Sequence, residues 1–454
     1  MNKKTLTGKE LIIQTLQHKV VPMVPWVPYA GVHAGKLKGY TAAEILCDSQ
    51  KLVDSLLAVN EMYRPDGQPV VFDLQLEAEI LGCELYWVDN SPPSVATHPL
   101  AGVAEIPQKS IAPSDGRLPI VLDAMRALKK EVGDHTALYG LITGPLTIAS
   151  HLRGTEIFMN MIRQPDYVKA LLAYVTECAL QVQKMYIDAG MDVIAFVDPL
   201  VSQISPKHFT QYLAEPYVQL FASTRQQGAF SSFFVCGDAT KNIEVMCQTK
   251  PDSIAVDENI VMVDAKKITD QYNVTLCGNI PLTTKMLLGN QQDNMKYVVD
   301  FLDSIDHHNL ILAPGCDMPF DTPFENVVGC MQALRNPVET RKMLENYEQP
   351  QVDLDAVVIP DYRHLAKPLI ELFTLDSASC AACTYMVRSA MDAVAAISEE
   401  VDVIEYKFTK PENVARVMKM GVKNLPSLYI NGELKFSSII PEQQALINEL
   451  KKFI

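Results

Sequence analysis

Short apolar runs recur along the first three-quarters of the chain. They are "VPMVPWVPY" (21–29), "VVFDLQ" (70–75), "ALYGLITG" (137–144), "DVIAFVD" (192–198), "AFSSFFVCG" (229–237), "SIAVDE" (253–258), "NVTLCGN" (273–279) and "LILAPGC" (310–316). Each is of strand length and ends in a polar or turn-forming residue. Between them apolar positions return every three or four residues, as in "PDYVKALLAYVTECALQVQKMYIDAG" (165–190) and "KHFTQYLAEPYVQLFAST" (207–224), the helical period. Apolar strands alternating with helices predict an α/β protein whose parallel strands are buried on both faces, closed as a (β/α)₈ TIM barrel over residues 1–345. The segment 76–118 breaks the alternation and reads as an inserted hairpin and loop.

Near 346–366 the periodicity stops. "NYEQPQVDLDAVVIPDYRHLAK" mixes Pro, Gln and Asp and reads as a linker. A second pattern then runs over 367–454. "PLIELFTL" is a strand, the stretch from Cys380 to Ala396 a helix, "VDVIEYKF" a second strand and "PENVARVMKMG" a second helix. "SLYI" and "ELKF" flank Asn431-Gly432, and a closing helix covers "PEQQALINELKKFI". Asn-Gly between β-type runs marks a hairpin.

Composition narrows the function. The chain has 454 residues, 48% hydrophobic and 20% charged, with a net charge of −15. That acidity argues against nucleic acid or an anionic membrane as partner. No apolar run is long enough for a membrane span, and the start lacks a signal-peptide pattern, so a cytoplasmic location is expected. Ten cysteines are too sparse for a disulfide scaffold, which turns attention to metal or redox roles for individual thiols. Homo-oligomers are compatible with all of this.

In a (β/α)₈ barrel the chemistry lies at the carboxyl ends of the strands. Those ends carry His33, Asp73, Glu77, Asp198, Cys236, Asp257, Glu258, Asn279 and Cys316. Two thiolates and a carboxylate from such ends suit zinc with one position left open. Cys236 and Cys316 with Glu258, or Asp257 in its place, are therefore the candidate metal ligands. Asp198 and Asp73 are expected to orient substrate, with His33, Glu77 and Asn279 as further substrate contacts. His151 and Asp238 are weaker ligand candidates. Taken singly, either cysteine reads equally as core packing, and the two together as a redox pair.

In the second domain, Cys380-Ala-Ala-Cys383 opens a helix, and "NLPSLYING" follows. The order of elements and both motifs resemble the thioredoxin/glutaredoxin fold. The resemblance implies Cys380 as the attacking sulfur, activated at a helix amino terminus, and Cys383 as the resolving one. Pro426 matches the family's cis-proline. The tryptophan common before the first cysteine of thioredoxins is missing from "SASCAAC". A zinc half-site is the alternative, but no second C-x-x-C completes it.

The barrel segments "DGQPVVFDLQLEAEILGCEL", "GLITGPLTIASHLRGTE", "DPLVSQISPKHFTQYLAEPY", "VCGDATKNIEVM", "AVDENIVMVDAKK", "LCGNIPLTTKMLLG" and "LAPGCDMPFDTPFENV" resemble the uroporphyrinogen decarboxylase superfamily. They are most similar to its methylcobamide:coenzyme M methyltransferase branch. The resemblance covers nearly all of residues 5–345. It implies a zinc enzyme that moves a methyl group between a corrinoid on a partner protein and a small-molecule thiol or other acceptor. The decarboxylases carry amino-terminal arginines for substrate carboxylates, whereas this chain reads "PYAGVHAGK" there. The branch's metal motif is His-x-Cys, and here Phe234 stands at the histidine position, which is why a strand-end carboxylate is the expected substitute. The rival expectations are a thiol–disulfide oxidoreductase acting on a barrel-bound small molecule or corrinoid, a porphyrinogen decarboxylase, and a non-enzymatic corrinoid binder.

Overall fold

A computed structural model describes residues 6–348, 353–354, 357–377, 381–397 and 400–453. The chain divides into two compact units, 1–347 and 348–454. In the first, seven parallel strands pair in the order β1 (Gly67–Pro69), β4 (Ala137–Thr143), β5 (Val193–Val197), β6 (Phe230–Val235), β7 (Ser253–Val256), β8 (Thr275–Ile280) and β9 (Leu310–Pro314). β2 (Leu85–Val88) and β3 (Ser91–Val95) form a separate antiparallel hairpin within the inserted segment.

The eighth staves position is taken by the segment around Trp26, reduced to one parallel bridge with Leu312. On one side Val27 N–H donates to Leu312 O and Leu312 N–H to Pro25 O; on the other, Asp66 and Gly67 N–H both donate to Trp26 O. The segment thus joins β9 to β1 and completes the ring. Its brevity follows from Pro22, Pro25 and Pro28, each of which removes a ladder donor from what the apolar pattern predicts as a nine-residue strand. A second expectation also shifts. The run 70–75 is a turn beyond β1, because Asp73 Oδ1 accepts the Gln75 N–H at 2.9 Å and bends the chain there.

Inward positions alternate along the strands: Tyr29, Phe72, Tyr139 and Phe234 supply bulk, while Ala195, Ala255 and Ala313 leave room for it. The helix Gly8–Leu16, started by a Thr7–Glu10 capping box, adds Ile12 and Leu16 to that core. Large rings and small residues in alternation fill the barrel solid. Only its carboxyl-end rim is left for chemistry.

The second unit is a four-stranded sheet in the order β11 (Asp402–Lys407), β10 (Leu369–Thr374), β12 (Ser427–Ile430) and β13 (Glu433–Ser437). Only β10 and β11 run parallel. Met386 and Ala390 of helix Ala381–Ala395, and Leu446 and Leu450 of Gln443–Leu450, pack with Ile370, Leu372, Leu428 and Ile430. Val417, of helix Pro411–Lys419, packs with Phe373 and Tyr429. Within β10, Glu371 is fully buried and ion-paired with Arg416, and it accepts the Tyr362 hydroxyl at 2.6 Å. That pairing is what makes a buried carboxylate tolerable.

Candidate active site at the barrel rim

Cys236 leaves β6 two residues after the inward-facing Phe234, so both side chains belong to the same face of the strand. Cys316 lies two residues beyond the end of β9, and both cysteines pack on the barrel core. Their sulfurs are joined as a disulfide, with the Cα atoms 6.3 Å apart. The bridge runs from the end of β6 to the end of β9, past the ends of β7 and β8.

Two carboxylates from the end of β7 flank it. Asp257 accepts the N–H of Gly237, the residue after Cys236, and both the backbone and side-chain N–H of Asn259. Glu258 accepts the Leu282 N–H at 2.7 Å and lies against Gly315, the residue before Cys316. A Cβ at Gly315 would come within 2.9 Å of Glu258 N and 3.3 Å of Glu258 Oε2, so only glycine admits this approach. Burial pushes the Asp257 carboxyl up to about 6. Burial, aided by the charge of Asp257, pushes Glu258 up to about 8.

Asn279 holds this corner in place. Its side-chain N–H donates to Asp257 O at 2.7 Å and to Ile260 O at 2.8 Å, while Tyr297 donates to its oxygens. It acts on the loop that presents the carboxylates. Its side-chain N–H groups are thus spent on positioning that loop.

The other expected residues form a second group. Asp73 accepts Arg117 Nη1 at 2.5 Å, and Arg117 Nε donates to Glu79 at 2.7 Å. The guanidinium lies 4.9 Å from the Trp87 ring centre, on the hairpin. Burial opposes the Arg117 charge, but Asp73 and Glu79 outweigh it and hold the proton more firmly than usual. Glu77 accepts the Thr143 hydroxyl at 2.7 Å and is pushed up to about 7 by burial. His33 donates through Nδ1 to Phe320 O at 3.0 Å, which leaves Nε2 to accept the Tyr63 hydroxyl at 2.7 Å. Burial lowers it to about 4, so it is a neutral, fully engaged histidine.

Asp198, expected to orient substrate, is engaged within the barrel wall. It is fully buried and accepts Leu146 N–H, Thr147 N–H, the Thr147 hydroxyl and the Tyr217 hydroxyl. Those four donors make it the clamp of the turn after β4. His151 lies in the helix Pro145–Arg153, buried and lowered to about 3 by its burial, and Asp238 caps its own turn through Thr240. Neither joins the sulfurs.

Two rim residues escaped the sequence pattern. Arg117 comes from the loop after the inserted hairpin, where no strand end announces it. Asp317 follows Cys316 directly. It is held well above the ordinary carboxylate range by burial, its Oδ1 has no hydrogen-bond partner, and Gly31 approaches so closely that a Cβ there would overlap its carboxylate. The signal was available in "GCDMPF". A cavity of about 550 Å³ lies elsewhere, at the amino ends of β7 and β8, lined by Arg225, Lys250, Asp252 and Tyr272 among others. None of the rim residues borders it.

Among the described residues no group of three or more His, Cys, Asp or Glu side chains is arranged to hold a metal ion. Phe234, at the expected histidine position, is fully buried with its ring 4.7 Å from Tyr29 and 5.7 Å from Phe72. The joined sulfurs are not thiolate donors, so the paired state does not suit zinc. Reduction would return two thiolates at the rim.

In the second unit Cys383 is buried and accepts the Leu375 N–H at 3.3 Å; Cys380 lies outside the described residues. Pro426 follows a cis peptide bond from Leu425. No described helix is long and apolar enough to cross a membrane.

The family description "Uroporphyrinogen decarboxylase (URO-D)" matches residues 7–337, and "Thioredoxin domain" matches 370–451. Methylcobamide:CoM methyltransferase MtaA of Methanosarcina barkeri strain Fusaro is 30% identical over 343 residues, covering 72% of this chain and 97% of the relative. The MtbA enzyme of Methanosarcina acetivorans is 25% identical over 338 residues, covering 73% and 98%. A solved methyltransferase from Methanosarcina mazei shares the fold with a TM-score of 0.68 at 24% identity, over 73% of this chain and 99% of that one. With a barrel fold and a family match across most of its length, the chain belongs to the uroporphyrinogen decarboxylase family and carries a thioredoxin domain carboxyl-terminal to the barrel in sequence.

Proposed function

We propose that the barrel is a zinc-dependent methyltransferase that moves a methyl group between a corrinoid, carried on a partner protein, and a thiol or other small acceptor, with the thioredoxin unit as an attached dithiol redox module. The observation that carries this reading is the convergence of Cys236 and Cys316, 6.3 Å apart at Cα, on a rim flanked by Asp257 and Glu258. The relatives named above are methylcobamide:CoM methyltransferases, which supports the same chemistry.

In the reduced chain Cys236, Cys316 and Glu258 would hold the metal, with Asp257 tied to Gly237 and Asn259 behind them. A zinc ion there supplies Lewis acidity that keeps a bound thiol as the nucleophilic thiolate at neutral pH. Glu258, raised to about 8, must lose its proton to become a donor. Tyr29, Phe72 and Phe234 form a dry floor beneath the sulfurs, which strengthens charge interactions at the rim. Asn279 holds the β7 loop so that both carboxylates stay in register with the cysteines.

The test is methyl transfer by the reduced, zinc-supplied chain from methylcobalamin to a panel of thiols and folates, followed by the cobalamin spectrum. Demethylation that depends on one acceptor and is lost in Cys236→Ser and Cys316→Ser is the expected result. Cobalamin that stays methylated with every acceptor overturns the proposal.

A further inference from the structure

The cavity of about 550 Å³ at the amino ends of β7 and β8 has the volume of a small-molecule site, about 300–1,000 Å³. It lies at the opposite end of the strands from the rim cysteines, so a molecule held there takes no part in rim chemistry. Three basic side chains line it, His18, Arg225 and Lys250, against one carboxylate, Asp252, in a chain whose net charge is −15. Asp252 is committed to the wall. Its Oδ2 accepts both the N–H and the hydroxyl of Ser231 at 2.7 Å and lies 3.8 Å from Arg225 Nη1. Arg225 donates through Nη1 to Lys250 O at 2.7 Å, which fixes the loop before β7. Among the described residues Arg225 Nη2 has no partner, and neither has the exposed Lys250 ammonium. His18 Nδ1 is buried and also lacks one.

The backbone singles out the same residues. His18, Lys250 and Asn273, all at the cavity, have φ of +58°, +61° and +53°, the left-handed region that favours Gly and Asn. Asparagine meets that requirement at the third position. At the other two a histidine and a lysine hold a conformation that asparagine would adopt more easily, and such outliers gather at binding sites. Tyr272, its hydroxyl donating to Glu244 at 3.0 Å, adds a partly exposed ring to the same lining. We infer that this cavity is a binding site for a phosphorylated small molecule bearing a planar ring, its phosphate on Arg225, Lys250 and His18 and its ring against Tyr272. Guanidinium and ammonium groups give charge-assisted hydrogen bonds to phosphate oxygens, and an aromatic ring gives a planar group a face to stack on. Asp252 offsets only one of the two permanent positive charges. The site stands apart from methyl transfer and from any metal at the rim.

The experiment is isothermal titration calorimetry of the full chain with AMP and with inorganic pyrophosphate. AMP is expected to bind saturably, with a dissociation constant below about 1 mM. Lys250→Asn and Arg225→Gln are each expected to weaken both probes at least about tenfold, the size of one lost charge-assisted hydrogen bond. Tyr272→Leu is expected to weaken AMP and leave pyrophosphate unchanged. Lys250→Asn also places a better-suited residue in the left-handed position, so its urea midpoint is expected to equal or exceed that of wild type. Loss of binding in that variant is thereby kept apart from loss of fold. No saturable binding of either probe overturns the inference. So does binding that the folded Lys250→Asn and Arg225→Gln chains retain in full, which places the anion elsewhere, or AMP affinity unchanged in folded Tyr272→Leu. The readout involves neither metal nor cobalamin, so it fails or succeeds separately from the methyltransferase proposal.

Discussion

Asp66 Oδ2 accepts the Trp26 backbone N–H at 2.8 Å, and this side chain secures the shortest link in the barrel wall. The same oxygen takes Arg335 Nη2 at 2.8 Å, so one buried carboxylate ties the amino-terminal segment, β1 and a late helix together. Asp66→Ala takes the carboxylate from a partly buried guanidinium, which keeps only Arg64 O and the Met23 sulfur, and leaves the buried Trp26 N–H unpaired. It is expected to lower stability by about 3 kcal/mol. Urea unfolding followed by tryptophan fluorescence measures this, since Trp26 is fully buried. A loss below about 1 kcal/mol contradicts the role assigned to Asp66.

Glu77 makes stability depend on pH in a defined direction. Its carboxyl is raised from 4.5 to about 7 by burial, so the folded chain keeps a proton that the unfolded chain has lost. The stabilisation is complete below 4.5 and disappears as pH rises through 7. Between those values the group contributes about 3 kcal/mol, at 1.36 kcal/mol per unit. Glu77→Gln is expected to flatten the fall in stability between pH 4.5 and 7.5 relative to wild type. Identical slopes in urea titrations across that range count against it.

Phe234 shares a strand face with Cys236, and a donor introduced there points toward the same rim. Phe234→His is expected to make the reduced chain retain zinc at chelator concentrations that strip the wild type. It also sets an imidazole among Tyr29 and Phe72, at a cost of about 2–4 kcal/mol in stability. A variant that loses stability and gains no metal retention shows that position 234 does not reach the sulfurs.

The strands that the apolar pattern located most closely are those buried on both faces, β4 to β9, where continuous Val, Ile, Leu and Phe leave little choice of structure. The pattern fails where backbone chemistry overrides hydrophobicity. Three prolines shrink the first strand to the Trp26 bridge, and the Asp73 turn bends the chain within the apolar run 70–75, which lies beyond β1. For the site, strand-end position was enough to bring out Cys236, Cys316, Asp257 and Glu258, whose neighbours the barrel places together. It could not foresee the four internal donors to Asp198, because a strand-end aspartate can face the next turn as readily as the mouth. It had no means of finding Arg117, whose place depends on how a long inserted loop folds back onto Asp73.

The measurement that bears most directly on the rim is bound zinc per chain, taken on protein reduced anaerobically, supplied with zinc and freed of excess. About one zinc per wild-type chain, lost in Cys236→Ser and Cys316→Ser and absent from the oxidised form, is the result expected from two sulfurs that either bond to each other or share an ion. Zinc content that is negligible in the reduced wild type, or unchanged when either cysteine is replaced, contradicts the account.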